Sequence, residues 1–378
     1  MSTLLSSRIE QESPVPKYWQ IAQVIRRQID NKILSIGDKL SPERELSKQF
    51  GVSYFTIRQA LTELEKQGLV KRRHGSGNFV SSPEEPTQRQ IQFVFFNLDL
   101  YVARIIEGIE DVAFLNGHRL FVRDCDFDLV KEKKAIQETF KSSNAGLILY
   151  PGMKNSESNV ETLRCLRREE YPFVLVDRFF EDLDSSYVVT DDFNGGHLAT
   201  SHLADLGHKH IFCLASANID SSSVRNRIEG YKQALKLANI PLEDYSIRHL
   251  YFSRSIQEDN IEDIRYILRE WLRYKTGPIA VFATGDIIAI VILRIAFEIG
   301  LRVPEDIAVV GYGDIDTAAL QVVPLTTIKI PMREIGAKAI ETLLDQMKES
   351  KDPINRKIVL PPLLVVRSSC GADIKKGV

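Results

Sequence analysis

From about residue 91 to residue 370, short apolar segments alternate with segments of helical periodicity. The apolar segments are IQFVFF, AGLILYP, FVLVD, HIFCLAS, IAVFATG and IAVVGYG. Several of them are apolar almost throughout, which is typical of parallel strands that are buried on both faces. Alternation of this kind predicts doubly wound parallel sheets, and about 280 residues are enough for two α/β lobes.

Residues 1–80 differ from the rest in charge. They carry 13 Lys and Arg against 8 Asp and Glu, a net charge of +5, whereas the remaining residues carry 36 against 43, a net charge of −7. A small basic unit on a larger acidic one favours a polyanion-binding domain joined to a body that does not bind polyanions. Residues 81–90 are polar and contain two prolines, so they are predicted to be a linker. We call residues 1–80 the head and residues 91–378 the body.

The head has the pattern of a winged helix-turn-helix, an α+β unit. An amphipathic helix is predicted over 17–32, and a second from Pro42 to Phe50 with Ser41 as its N-cap. Gly51 makes a tight turn, and a third helix, capped by Ser53, runs to about residue 67. The segments LVKRR and NFV, joined by HGSG, predict a hairpin wing. The third helix is therefore expected to enter a major groove.

These residues resemble the GntR family of regulators over residues 14–80. The shared motifs are SPEREL, GVSxxTIRxALxxL and GxGxFV, in this order and spacing. The resemblance implies DNA contacts by Arg44, Ser53, Thr56, Arg58, His74 and Gly75, and Tyr54 is a further candidate because the predicted recognition helix exposes it. Tyr54 and Phe55 stand where polar or basic residues are common in that family. Other roles are open for three of the DNA-contact residues: Arg44 could pair with a carboxylate of its own helix, Arg58 faces only partly outward, and His74 could be a solvated turn residue.

The body resembles the effector-binding domain of the LacI/GalR family, which is similar to periplasmic sugar-binding proteins. The matching stretches include VVTDDFNGGHLATSHLADLGHKHI, SSSVRNRIEGYKQAL and VPLTTIKIPMREIGAKAIETLL. A GntR-type head on such a body is similar to arabinose-repressor-type regulators. We expect lobe one to comprise about 91–178 and 304–329, and lobe two about 179–303 and 330–370.

An effector cleft is expected where the strands end, because α/β sheets bind ligands at the carboxyl ends of their strands. The resemblance implies effector contacts by Asp177, Arg227 and Asp286, and Asp99 and Tyr101 follow the first strand of the body. Carboxylates accept sugar hydroxyls, an arginine fork donates to two of them, and an aromatic ring covers the apolar sugar face.

Structural roles are open for several residues near the cleft. Asp177 could form a local ion pair with Arg178 instead of contacting the effector, and Asp286 could cap the helix that follows it. Asp192 and Asn194 are expected to cap a helix over 196–206 rather than to contact the effector. Because an empty cleft would be wet, Arg227→Ala is expected to leave the ligand-free protein folded.

The sequence thus predicts a repressor whose affinity for operator DNA is controlled by a small molecule. We expect a monosaccharide, and a purine or a phosphorylated compound is the alternative. We expect a cytoplasmic homodimer with no metal, no cofactor and no membrane segment. The N-terminal residues lack a secretory signal, no apolar run reaches 18 residues, and the four cysteines are widely spaced. The usual nucleotide-binding and hydrolase motifs are missing, so no enzyme activity is expected. The alternatives are a periplasmic-type sugar-binding protein and a structural DNA-binding protein whose body senses nothing.

Overall fold

The chain folds into a helical head with a two-stranded wing and a body of two parallel sheets. A computed structural model describes residues 15–73, 77–81, 90–139, 144–154, 157–216, 221–250, 258–274, 277–348 and 355–372. In these ranges no helix is long and apolar enough to cross a membrane.

Three helices and a hairpin build the head. They are α1 (Lys17–Asp30), α2 (Glu43–Phe50), α3 (Tyr54–Lys66), β1 (Val70–Arg73) and β2 (Gly77–Val80). The two strands pair antiparallel, and the apolar faces of all five elements share one core. Ser53 caps α3 as predicted, since its hydroxyl accepts the backbone N–H of Thr56 at 3.1 Å. The expected cap of α2 is wrong: the helix begins at Glu43, because Pro42 keeps an extended ψ of 145° and is itself the N-cap residue.

The body continues the chain with eight helices and fourteen strands in its described part. Their bounds, in chain order, are β3 (Gln90–Phe95), α4 (Leu100–Leu115), β4 (Arg119–Asp124), α5 (Leu129–Glu138), β5 (Asn144–Tyr150), β6 (Met153–Lys154), β7 (Glu157–Ser158), α6 (Val160–Arg168), β8 (Phe173–Val176), β9 (Ser186–Thr190), α7 (Asp192–Asp205), β10 (Ile211–Ser216), α8 (Ser222–Leu237), β11 (Ile247–Leu250), α9 (Glu258–Tyr274), β12 (Ile279–Ala283), α10 (Asp286–Glu298), β13 (Ile307–Gly313), β14 (Thr326–Lys329), α11 (Met332–Lys348), β15 (Lys357–Leu360) and β16 (Leu363–Val365).

Two six-stranded sheets form the two lobes. Lobe one has the order β15-β9-β8-β5-β3-β4, and all its neighbouring strands are parallel. Lobe two has the order β11-β10-β12-β13-β14-β16, with only β16 antiparallel to its neighbour. The prediction of a two-lobed α/β body on a winged helix-turn-helix head is confirmed.

The chain passes between the lobes three times: after β9, after β14 and after β15. The predicted lobe division is therefore wrong in its exchanged segments. Residues 304–329 supply β13 and β14 to lobe two, whereas α11 packs on α4 of lobe one and β15 joins the sheet of lobe one. Apolar parallel strands look alike in either sheet, so the alternation of strands and helices does not reveal which sheet a strand joins.

Helix α1 links the head to lobe one. On one side Ile21 and Ile25 lie in the head core. On the other side Val15 and Trp19 are buried in an apolar cluster of lobe one, where the Trp19 ring lies 5.6 Å from that of Tyr171. Head and lobe one therefore share a packed apolar contact in addition to the linker.

Candidate DNA-binding surface and effector cleft

The outward face of α3 is the candidate groove-reading surface. Its inner face buries Ile57, Ala60, Leu61 and Leu64 at helical spacing. Arg58 directly follows Ile57, the first residue of that stripe, and is exposed. Tyr54 and Phe55 are exposed as well. Ser53 and Thr56 lie at the N-terminus of the helix, and their hydroxyls are 2.7 Å apart. Base contacts in helix-turn-helix proteins come from this end of the recognition helix.

Helix α2 and the wing flank that face with further basic residues. Arg44 and Lys48 on α2 are exposed and line a shallow groove together with Tyr54. On the wing, Lys71, Arg72 and Arg73 are exposed. Phosphate contacts of a DNA-binding domain are made by such residues, since they add affinity without reading sequence. His74 and Gly75, the two predicted contacts at the wing tip, lie outside the described residues.

Lobe one contributes a tyrosine and aspartate cluster to the cleft. Asp177 directly follows β8, and its carboxylate accepts hydrogen bonds from the Tyr101 hydroxyl and from Arg178 Nε at 3.1 Å. The Arg178 guanidinium also lies 4.5 Å from the Tyr150 ring centroid and donates to the Tyr150 hydroxyl at 2.5 Å. Asp177 has a φ of +68°, a left-handed conformation that non-glycine residues rarely adopt. Strain of this kind concentrates at binding sites.

Asp99 has a second role in lobe one. It is the N-cap of α4, and its side chain accepts the Val102 backbone N–H at 2.9 Å. Its second carboxylate oxygen accepts Asn97 Nδ2 at 3.4 Å, and the residue remains exposed. Asp99 and Tyr101 thus lie at the carboxyl end of β3, where the sequence places them.

Lobe two contributes an arginine, an aspartate and a tyrosine. Arg227 Nε donates to Asp192 Oδ1 at 2.7 Å, and Nη1 donates to the Thr284 carbonyl at 2.9 Å. The guanidinium lies 3.9 Å from the ring centroid of Tyr312, whose hydroxyl donates to the same Asp192 oxygen at 2.9 Å. Burial raises the pKa of Asp192 to about 6, despite the opposing charge of Arg227.

Two glycines set the distance between the helices that carry this pair. A Cβ on Gly196 of α7 would lie 2.1 Å from the Arg227 carbonyl oxygen, and one on Gly230 of α8 would lie 2.0 Å from the Phe193 carbonyl oxygen. Any larger side chain would therefore push the two helices apart. This close packing is what allows Asp192 on α7 to reach Arg227 on α8.

Asp192 corrects an expectation from the sequence. Asp191 is the N-cap residue of α7 and accepts the Asn194 backbone N–H at 3.0 Å, so neither Asp192 nor Asn194 caps the helix. Asp192 is instead the first residue of the helix and points into the cleft cluster. Two adjacent aspartates at a helix start cannot be told apart by sequence.

Asp286 is bound within lobe two. One oxygen of its carboxylate accepts the Thr327 hydroxyl, and the other accepts the Ile315 backbone N–H at 2.9 Å. The residue is the first of α10, after Gly285 as N-cap. In this structure Asp286 therefore braces the loop after β13 against β14, beside the Thr284 carbonyl that Arg227 binds.

The two clusters face each other across the lobes. Asp177 of lobe one interacts electrostatically with both Arg227 and Asp192 of lobe two. The Phe179 backbone N–H donates to Ser222 Oγ at 3.1 Å, and Arg104 Nη2 lies 2.6 Å from Asp316 Oδ2. These contacts join lobe one to lobe two beside the cleft. Tyr150, Arg178, Asp192 and Tyr312 are members of the site that the prediction did not include, although each lies at or near a strand end.

Comparison with known proteins matches both parts of the chain. Residues 17–80 match the model for bacterial regulatory proteins of the gntR family, and residues 200–370 match that for a periplasmic binding protein-like domain. A repressor of arabinose metabolism from Geobacillus stearothermophilus is 31% identical over 366 residues, which cover 95% of this chain and 98% of the relative.

Solved structures share the fold. A CelR regulator in complex with cellobiose superposes with a TM-score of 0.65 at 21% identity, covering 94% of this chain and 99% of CelR. A LacI-family regulator from Enterococcus faecium with bound ribose gives a TM-score of 0.62 at 26% identity, covering 74% of this chain and 98% of that one.

Fold and sites together define a transcription regulator with separate DNA-binding and ligand-sensing domains. The chain belongs to the family of arabinose-repressor-type transcriptional regulators, in which a gntR-type head precedes a periplasmic-binding-protein-like body.

Proposed function

We propose that the chain is a repressor whose hold on operator DNA is controlled by a neutral monosaccharide bound between the lobes. The observation that carries the proposal is the charge pairing of the cleft. Arg178 is bound to Asp177 and Arg227 to Asp192, and each arginine also stacks on a tyrosine. The cleft therefore presents carboxylates, phenol hydroxyls and ring faces, which suit a polyol.

Charge pairing also disfavours a phosphorylated effector. A phosphate dianion needs cations or backbone N–H groups that are not already neutralised. Both cleft arginines are already matched by a buried carboxylate, and Asp99 adds a further negative charge nearby. A neutral sugar needs no such compensation, so binding rather than catalysis is the role that this arrangement supports.

The DNA-binding residues in this proposal are Arg44, Ser53, Tyr54, Thr56, Arg58, His74 and Gly75. The effector-binding residues are Asp99, Tyr101, Asp177 and Arg227, with Asp286 reaching the effector only if its internal hydrogen bonds open. Control of operator DNA places the protein in the cytoplasm. A periplasmic-type binding protein is disfavoured, because that role does not use the basic head.

A homodimer would bring two heads to a two-fold-related operator. An apolar patch on lobe one supports this association: Phe114 and Leu115 at the end of α4 are 74% and 81% exposed. Phe121 and Val122 on the adjoining edge strand β4 are also exposed. Self-association through this patch would cover it and fix the spacing of the heads. Sedimentation equilibrium of Leu115→Glu tests it, since a variant as dimeric as the wild type would contradict this interface.

The packing of α1 supplies a route for the signal. Because Trp19 is buried against Tyr171, a change in the orientation of lobe one moves the head with it. Effector binding changes the angle between the lobes, and in a dimer this angle sets the register of the two heads on DNA. Effector and operator then bias the same two-state equilibrium.

A thermal-shift screen of the full-length chain tests the proposal. Pentoses and hexoses are compared with their phosphate esters, and the same set is run on Asp177→Asn. A neutral sugar at 100 times its Kd should add about 2.7 kcal/mol of stability, and the variant should lose most of that gain. Stabilisation by the phosphate esters alone would contradict the neutral-effector proposal. A body that no small molecule stabilises would favour the structural DNA-binding alternative.

A further inference from the structure

The outward face of α3 carries an apolar side chain near its N-terminal end. Phe55 lies opposite the buried stripe of the helix, in its first turn, and is 67% exposed. Around it on the same face lie Arg58, Gln59, Thr62 and Lys66. An aromatic ring exposed to water is unfavourable in the free protein. Burial of the ring against a partner would remove that cost and stabilise the complex.

The surroundings of Phe55 identify that partner as DNA. Arg58 and Lys66 share its face, and Arg44 and Lys48 lie on the neighbouring helix. This cationic frame is complementary to a phosphate backbone and unfavourable for a second head of the same charge. The ring is then directed at the floor of the groove, where base edges are exposed.

Phe55 differs from its neighbour Tyr54 in what it can recognise. A hydrogen bond to Glu43 raises the pKa of the Tyr54 hydroxyl, so the polar end of that ring is engaged within the head. Phe55 has no hydrogen-bonding group and can only make apolar contacts. In the major groove the apolar feature of the four bases is the C5-methyl group of thymine.

We propose that Phe55 is a specificity-determining residue that reads thymine in each operator half-site through its C5-methyl group. The proposal rests on the proposed DNA-binding function and adds to it the base that one side chain selects. Cytosine carries a hydrogen at C5, so it offers the ring no methyl group to cover.

The test removes the methyl group from the DNA and the ring from the protein separately. Full-length protein is first used to select a duplex from a randomised double-stranded DNA pool. Each thymine of that duplex is then replaced by uracil, which changes only the C5 position. For the wild type, one thymine per half-site should matter, and its replacement should weaken binding about fourfold, the value of one buried methyl-sized group.

Phe55→Ala should bind the thymine and uracil duplexes equally at that position, and Phe55→Leu should retain part of the preference. Gln59→Ala, on the same face one turn further along, is the matched control and should keep the wild-type ratio. If Phe55→Ala weakens binding to the thymine and uracil duplexes by the same factor, the thymine preference is unchanged. That result would overturn the proposal for Phe55 and leave the proposed DNA-binding function standing. If no duplex is enriched by the wild type, the proposed function itself fails.

Discussion

The DNA-binding face of the head and the effector cleft of the body use similar residues in opposite ways. Arg44 and Arg58 are exposed, and the groups they would bind belong to DNA. Arg227 and Arg178 are largely buried, and each is already bound to an aspartate of the protein. A substitution on the head should therefore affect binding alone, whereas a substitution in the cleft should affect binding and folding together.

The largest expected effect that separates the two regions is on the free energy of unfolding. Arg227→Ala removes the partner of Asp192, whose side chain is 3% exposed, and leaves a buried carboxylate without its cation. Loss of one member of a buried pair costs about 3–5 kcal/mol. The buried pair thus leads to a prediction opposite to the expectation from sequence that the ligand-free protein tolerates the change. Urea denaturation measures it, with Arg58→Ala in the head as the matched control, expected within about 0.5 kcal/mol of wild type.

A second substitution checks the cause. Adding Asp192→Asn to Arg227→Ala removes the stranded charge and should recover roughly half of the lost stability. If Arg227→Ala alone unfolds at the wild-type urea concentration, the pair contributes little and the two regions do not differ in this way.

A smaller effect is expected from a buried carboxylate of lobe one. Glu132 is fully buried, and its oxygens accept the Gly152 backbone N–H at 2.6 Å and Asn159 Nδ2 at 2.9 Å. Burial nevertheless raises the pKa of Glu132 to about 7. The folded protein then holds a proton that the unfolded chain releases above its ordinary pKa near 4.5.

Stability from this group is therefore present at low pH and is lost as pH rises from about 5 to 8. The difference between wild type and Glu132→Gln should change by about 3 kcal/mol over this range, at about 1.4 kcal/mol per pKa unit. Chemical denaturation of both proteins across the pH series measures it. A difference that stays constant with pH would show that Glu132 is ionised throughout and that its hydrogen bonds outweigh burial.

Local motifs made the head predictable, whereas the cleft depends on contacts between distant segments. Ser53, Gly51 and the apolar stripe of α3 act within a few residues, so their roles follow from spacing. Asp192 meets Arg227 only because Gly196 lets two helices touch, and no local pattern encodes that distance. The exchange of strands between the sheets is of the same kind, since it depends on which edge a strand joins.

The smallest expected effect concerns the surface where head and body meet. Arg27 Nη2 of α1 lies 3.1 Å from Glu170 Oε2 of lobe one, and both side chains are about half exposed. Water screens such a pair, so Arg27→Glu should cost at most about 1 kcal/mol of stability. Since the pair holds the head against lobe one, the same substitution should reduce the effector-induced change in operator affinity by up to about fivefold. Operator binding with and without the sugar found by the thermal-shift screen measures that change.

The decisive variant in this test reverses the charges of both Arg27 and Glu170. The double variant Arg27→Glu/Glu170→Arg restores an attractive pair and should regain most of the effector response that Arg27→Glu loses. Arg123→Ala, which removes an exposed ion pair with Glu138 inside lobe one, controls for the loss of a surface charge and should leave the response unchanged. If Arg27→Glu responds to effector like the wild type, the ion pair does not carry the signal, and the apolar contact of Trp19 with Tyr171 remains the route between lobe one and the head.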